Sequence, residues 1–239
     1  MGLELNIDLG ELEDEPEALF SLATTVNVAC GGHAGDEASM DRAVRRALRA
    51  GARVAAHPSY PDRAGFGRAS MVIAADALAA SVAAQCATLR AVAERAGGSV
   101  RGLKLHGALY HDAAGSPAVA VALVEAARRA LGDAITVVGP PLGAVREATL
   151  ARALPYEREG FADRAYRPDG TLVPRAEPGS VLGDPARAVE QALRLARGGA
   201  IETLCVHGDN PAAEAVARAV RRALEREGLL GAAAGGGVP

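Results

Sequence analysis

Tryptophan is absent from this chain of 239 residues, and there are only three phenylalanines, four tyrosines and three cysteines. The formal net charge is -3, with both signs mixed along the chain, so no basic stripe is available to neutralise phosphates. Nucleic acid is set aside as a partner. Cys30, Cys86 and Cys205 are odd in number, widely spaced and set in apolar runs, which argues against a disulfide framework and for a reducing compartment. Long hydrophobic runs are missing as well. The stretch at 74–84 is alanine-rich, broken by Asp76 and Ser81, and shorter than the roughly 20 residues of a membrane span. At the start, Glu4 puts a carboxylate where an export signal carries positive charge. The expectation is a cytoplasmic protein without a membrane segment. Neither G-x-x-x-x-G-K-[ST] nor G-x-G-x-x-G occurs, so any nucleotide would have to be held by other groups.

What is present is an alternation of strand-like and alanine-rich helical segments, the pattern of an α/β fold with a mainly parallel sheet. Strands are predicted at Leu3–Leu9, Thr25–Ala29, Arg53–His57, Val100–Leu105, Ile135–Gly139 and Glu202–Val206, with shorter ones at Leu154–Arg158 and Thr171–Val173. Helices are predicted at Glu37–Ala50, Ala74–Ala96, Pro117–Leu131, Leu142–Ala153, Pro185–Arg197 and Pro211–Glu227. Ser116-Pro117 and Asp184-Pro185 mark two helix starts, a capping side chain before proline at the first helical position. No linker or repeat interrupts the chain, and α/β barrels commonly run to this length as one unit. Residues 1–230 are read as one domain and 231–239 as a frayed tail.

Side chains on a strand alternate between two faces. Leu3, Leu5, Ile7 and Leu9 share one parity while Asn6 and Asp8 share the other. Leu103 and Leu105 oppose Lys104 and His106; Leu204 and Val206 oppose Cys205 and His207; Val54 and Ala56 oppose Ala55 and His57. A flat doubly wound sheet would be apolar on both faces, so one apolar and one polar face points to a closed or partly closed barrel, of about six to eight strands by this parity rule. Four of the five histidines, His33, His57, His106 and His207, end strands or follow them into turns. Active sites of α/β barrels cluster at those C-terminal ends. A lone strand-end histidine is ordinarily a satisfied core group; four in equivalent positions, joined by Asp8 and Lys104, point to a site.

Several runs carry a family resemblance: Asn6-Ile7-Asp8-Leu9-Gly10-Glu11; Asn27-Val28-Ala29-Cys30-Gly31-Gly32-His33-Ala34-Gly35-Asp36; His57-Pro58-Ser59-Tyr60-Pro61-Asp62 with Gly65-Phe66-Gly67-Arg68; Lys104-Leu105-His106-Gly107-Ala108-Leu109-Tyr110; Phe161-Ala162-Asp163-Arg164-Ala165-Tyr166; Gly170-Thr171-Leu172-Val173-Pro174-Arg175; and Cys205-Val206-His207-Gly208-Asp209. In order and spacing, from residue 4 to residue 228, the chain resembles the LamB/YcsF family, the A subunits of bacterial ATP-dependent 5-oxoprolinase. The resemblance implies an irregular seven-stranded β/α (TIM-like) barrel of the glycoside hydrolase/deacetylase type. It implies opening of 5-oxo-L-proline to L-glutamate with ATP hydrolysis, in company with B and C subunits, and it allows a homo-oligomer. Three departures stand out: a short loop after Glu11, Gly32 where the family has phenylalanine, and no β-hairpin between Gly198 and Thr203. All three are expected at the barrel mouth.

Under that resemblance Asp8 or Glu11 would activate water and His57 or His106 would protonate the leaving nitrogen. Lys104 and Arg63 would hold anionic oxygens, with Lys104, Arg63 or the Gly31–Gly35 amides as phosphate contacts. Asn6, Asn27, His33, His207 and Asp209 complete the substrate- or phosphate-binding set, together with Asp163, which a local ion pair with Arg164 explains equally well. His111 reads as a surface or capping residue, and Cys30 and Cys205 as inert core thiols. One alternative is a metal-dependent, deacetylase-like hydrolase of a carbohydrate or other amide, with Asp8, His33, His57 and His207 as ligands. No short-range His or Cys pair fixes two ligands, so no metal is assigned. The other alternative is a non-catalytic subunit, which has no physical reason to keep so many ionisable groups inside a barrel.

Overall fold

A computed structural model describes residues 2–231. Seven strands close into a parallel barrel in chain order: β1 (Glu4–Leu9), β2 (Thr25–Ala29), β3 (Arg53–His57), β4 (Val100–Lys104), β5 (Thr136–Gly139), β6 (Tyr156–Phe161) and β7 (Thr203–His207). β7 pairs back onto β1, with Asp8 beside His207 and, on the other side, Asp8 beside Asn27. Around them run α1 (Glu17–Leu22), α2 (Glu37–Arg49), α3 (Ala75–Arg95), α4 (Ala108–Gly115), α5 (Pro117–Leu131), α6 (Ala144–Leu150), α7 (Pro185–Arg197) and α8 (Ala213–Arg226).

The irregular seven-stranded barrel expected from the family resemblance is the one observed. Leu5, Ile7 and Leu9 are fully buried beneath the helices, which sends Asn6 and Asp8 of the same strand into the barrel. Burying each such leucine or isoleucine contributes about 1.5–3 kcal/mol, so a slip by one residue, which would exchange the two faces, is strongly disfavoured. The helix starts behave as their sequences dictate: Ser116 Oγ accepts from Val119 N and Asp184 accepts from Ala186 N, while Asp36 and Ser39 form a reciprocal capping box on α2.

Three expectations change. Thr171–Val173 is not a barrel strand: Leu172 bridges antiparallel to Tyr166 and Val181 to Arg164, so this segment pairs within the β6–α7 loop, where Gly170 turns the chain and Pro174 lacks a donor. Helices α1 and α4 lie outside the predicted set. They span only six and eight residues and have no side-chain cap, leaving little periodic signal to read. The segment between Gly198 and Thr203 precedes β7 and lies at the barrel's N-terminal end, away from the mouth; there Arg158 clasps Glu202. The tail expected at 231–239 lies outside the described residues except for Gly231, whose N–H donates to Leu3 O at 2.8 Å.

Candidate functional site

The barrel interior is built in polar layers. Lys104, 2 % exposed, extends across from β4 and donates to Asp8 Oδ1 at 2.9 Å, to Asp8 Oδ2 at 3.2 Å and to Cys205 at 3.0 Å. It also pairs with Glu159 of β6 at 2.9 Å. Asn27 donates to Asp8 Oδ1 and to Asn6 Oδ1, both at 2.7 Å, and Asn6 donates to Glu159 and Thr203. Burial by itself would raise the Asp8 carboxyl, but Lys104, His57 and His207 outweigh it and hold it well below the usual carboxylate range. Lys104 is likewise disfavoured by burial and held protonated, well above its usual value, by Asp8, Cys205 and Glu159. Glu159 and the Cys205 thiol are both pushed up by burial, so Cys205 stays a thiol.

Above this layer, four residues from the ends of β1–β4 converge. His33 Nε2 lies 3.0 Å from Glu11 Oε1, and His106 Nδ1 lies 3.0 Å from His57 Nε2. The same Glu11 oxygen is 3.4 Å from His106 Nδ1 and 3.8 Å from His57 Nε2. One donor atom from each of the four lies within 4.8 Å of the others, a group able to hold a metal ion. The rings of His33 and His106 stack with centroids 3.6 Å apart. Burial pushes His33 down to about 3 and His106 to about 2, and takes His57 well below its usual value. Glu11 is raised by burial and by the negative charges of Asp8 and Asp209.

The loops that carry this group are tightly determined. The short turn after β1 closes around Glu15, whose carboxylate accepts from the N–H groups of Gly10, Glu11 and Leu12 at 2.9, 2.9 and 3.2 Å. At Gly32 a Cβ would meet Ser59 Oγ at 2.4 Å and Gln85 Oε1 at 2.5 Å; those two side chains fill the space a phenylalanine would need. Phe66 has φ +55°, a costly conformation for an aromatic residue, and it aims its carbonyl at His106 Nε2, 2.9 Å away.

On the opposite side of Asp8, His207 ends β7. Its Nδ1 is 2.8 Å from Asp163 Oδ1 and its backbone N–H donates to Asp163 Oδ2 at 3.0 Å. Asn210 gives that carboxylate a third donor at 3.1 Å. Burial opposes the charge on Asp163, but His207 and Asn210 outweigh it and keep the carboxyl below its usual range. The remaining His207 nitrogen, Nε2, lies 4.0 Å from Asp8 Oδ2.

Asp8, His57, Lys104, His106 and His207 line one cavity of about 460 Å³, which Arg68, Arg164 and Arg175 border at its mouth. Asp209 sits behind this rim, paired with Arg68 and with Arg175 at 2.5 Å. Arg63 is not part of it: its guanidinium donates to the carbonyls of Gly31 and Gly35 at 3.1 and 2.7 Å and staples the β2 loop. Two further expectations are corrected. The metal set of Asp8, His33, His57 and His207 is split, since Glu11 and His106 join His33 and His57 while Asp8 and His207 gather with Cys205. Asp163 pairs with His207 rather than with Arg164, whose guanidinium instead donates to the carbonyls of Val173 and Ser180. His111, read as a surface or capping residue, is exposed on α4 and also borders the cavity.

Glu159, Arg68, Arg164 and Arg175 are the functional candidates that sequence reasoning leaves without a role. Glu159 shares the parity of Glu157 and Phe161 on β6, and the predicted strand stops one residue before it. The arginines belong to the runs that carry the family resemblance, but they lie in loops, where periodicity says nothing about direction.

The LamB/YcsF family model matches residues 3–235. The 5-oxoprolinase A subunit of Mycobacterium avium (strain 104) is 43 % identical, with 95 % of this chain and 97 % of that protein covered. The corresponding A subunit of Streptomyces griseus is 44 % identical at the same coverage. The crystal structure of the lactam utilization protein from Thermus thermophilus superposes with a TM-score of 0.88 at 34 % identity, covering 98 % of this chain and 100 % of that one. This chain belongs to the LamB/YcsF family.

Proposed function

We propose that the chain is the A subunit of an ATP-dependent 5-oxoprolinase, opening the lactam of 5-oxo-L-proline to L-glutamate together with B and C subunits in the cytoplasm. The observation that carries the reading is the 43–44 % identity, over nearly the whole length, to proteins named as A subunits of 5-oxoprolinase. The cavity supports it chemically, with a cationic rim for a carboxylate above a buried acid–base pair. Three free, buried cysteines fit a reducing compartment, and among the described residues no helix is long and apolar enough to cross a membrane.

Opening the ring adds water across the amide: an oxygen–carbon bond forms, the carbon–nitrogen bond breaks, and the nitrogen takes a proton. Amides resist this because nitrogen leaves poorly; transfer of the γ-phosphoryl group of ATP to the carbonyl oxygen, releasing ADP, lowers that barrier, and the group departs as inorganic phosphate when the new carboxylate forms. No phosphate loop occurs in this chain, so the nucleotide chemistry is assigned to the assembly with B and C. His207 is the proton carrier: Asp163 ties its Nδ1 and leaves Nε2 to take a proton from water and pass it to the ring nitrogen. Asp8, 4.0 Å away, steadies the charged imidazole. Lys104 has its protons committed to Asp8, Glu159 and Cys205, so it fixes Asp8 rather than binding substrate. Arg68 and Arg175 share the single carboxylate of Asp209, which leaves a net positive rim for the substrate carboxylate.

The test is glutamate release from 5-oxoproline and ATP by this chain alone and with its B and C partners, comparing wild type with Asp8→Asn and His207→Ala. Activity confined to the complete mixture and lost in both variants is the expected result. Turnover unchanged by both substitutions would sink the assignment.

A further inference from the structure

Two neutral imidazoles in contact ordinarily share a hydrogen, one ring donating and the other accepting. His57 and His106 touch without one. Nδ1 of His57 is 2.8 Å from the carbonyl oxygen of Lys104, and Nε2 of His106 is 2.9 Å from that of Phe66. A carbonyl oxygen can only accept, so these two nitrogens carry the ring protons. The nitrogens left over, His57 Nε2 and His106 Nδ1, are therefore both lone pairs, and they face each other at 3.0 Å. Glu11 Oε1 brings a third lone pair to the same point, 3.4 Å from His106 Nδ1 and 3.8 Å from His57 Nε2. His33 Nε2 closes the group at 3.0 Å from that oxygen, while its Nδ1 has no hydrogen-bond partner among the described residues.

Lone pairs converging in a buried space repel one another unless a cation sits between them. We propose that Glu11, His33, His57 and His106 form a binding site for one divalent transition-metal ion of the zinc class, distinct from the Asp8–Lys104 pair and from the Asp163–His207 pair. Three imidazoles and one carboxylate are borderline donors that suit such ions. Metal–donor bonds of about 2.0–2.1 Å in a tetrahedron set neighbouring donors about 3.3 Å apart; four of the six donor separations, 3.0, 3.0, 3.4 and 3.8 Å, bracket that spacing, and all lie within 4.8 Å. The tethers from His57 and His106 to backbone carbonyls are the outer contacts that orient metal-binding histidines.

The second group, Asp8, Cys205 and His207, does not compete. Asp8 is occupied by Lys104 and Asn27, and an ion there would lie against the Lys104 ammonium. The proposed ligands come from the ends of four adjacent strands, so the ion also clamps that side of the mouth. His57 and His106 line the cavity, and an ion held there supplies Lewis acidity at its wall.

The site is independent of the 5-oxoprolinase reading, and its test uses no turnover. The full chain, dialysed against a chelator, is titrated with Zn²⁺ by calorimetry and with Co²⁺ by visible absorption. One ion per chain, tetrahedral Co²⁺ bands and a rise in melting temperature on adding Zn²⁺ are expected. His57→Ala and His106→Ala should each weaken binding by about 100-fold or more, while Asp8→Asn and His207→Ala stay within about tenfold of wild type. Absence of stoichiometric binding by the wild-type chain, which needs no variant to fold, overturns the site. So does wild-type affinity in a folded His106→Ala protein, or loss of the ion in Asp8→Asn and His207→Ala alone.

Discussion

Asp163 grips His207 twice, through the ring Nδ1 at 2.8 Å and through the backbone N–H at 3.0 Å. The carboxylate thereby fixes both the position of the strand end and the tautomer of the ring. Asp163→Asn keeps the shape but removes the full acceptor, so the ring can turn its proton toward the cavity. We expect kcat for glutamate formation in the complete mixture to fall by about 10²–10⁴ with KM little changed. A kcat within about threefold of wild type would remove the proton-carrier role from His207.

The same carboxyl has a consequence for stability. Its folded-state pKa lies below the usual value of 3.8, so the unfolded chain takes up its proton first as pH falls. The stability it contributes is complete above pH 3.8 and is lost as pH drops below that value toward the folded one. Urea unfolding of wild type and Asp163→Asn, compared from about pH 6 to about pH 3, should show a gap between them that narrows at the acid end. A gap independent of pH would contradict this.

Lys104 is the cation that neutralises Asp8 and Glu159 inside the barrel. Lys104→Met leaves two buried carboxylates facing each other, and breaking such a pair costs about 3–5 kcal/mol. Because the chain has no tryptophan, the loss is best read by far-UV circular dichroism during urea unfolding. Adding Glu159→Gln to Lys104→Met should return part of it, since one orphaned charge is then gone. A single variant as stable as wild type would show that the interior is far wetter than the burial implies.

Gly107 adopts φ +60°, and a Cβ there would meet the carbonyl oxygen of Gly67 at 2.4 Å. Backbone cannot yield as a side chain can, so Gly107→Ala should push away the Phe66–Gly67 turn that tethers His106. The expected cost is about 1–3 kcal/mol, read as a lowered melting temperature. Gly97→Ala is the comparison: it also has positive φ but has open space around it, and it should cost less.

Arg175 pairs with Asp209 at the rim. If the rim receives the substrate carboxylate, Arg175→Ala should raise KM for 5-oxoproline by about 10- to 100-fold, the worth of one charge-assisted hydrogen bond, with kcat largely retained. The amide of 5-oxoproline, which lacks that charge, should not distinguish wild type from variant. Equal losses on both compounds would point to damage to the loop instead.

The chain's own periodicity carries the barrel. Alternation along β1, β4 and β7 separates Leu5, Ile7, Leu103, Leu204 and Val206 from Asn6, Asp8, Lys104, Cys205 and His207, and the hydrophobic core takes in all of the first group and, of the second, Cys205 alone. It works because a strand's side chains alternate strictly and only one face can lie under helices. Helix ends with Ser-Pro and Asp-Pro signals are legible for the same local reason, whereas α1 and α4, short and without side-chain caps, are not.

Which residues meet was decided by the closed sheet. Glu11 and His106 are 95 positions apart in the sequence, and nothing local says that their atoms come within 3.4 Å; Asp163 and Arg164 are neighbours in sequence, yet they turn to different partners. Sequence alone determined the strand faces, the strand-end histidines and the family, since these depend on residue type and short-range spacing. The pairing of Asp163 with His207, the removal of Arg63 to the β2 loop, and the regrouping of His33 and His57 with Glu11 and His106 followed only from tertiary structure. Loop direction and the registry between distant strands arise from packing across the whole barrel, which no short window of sequence contains.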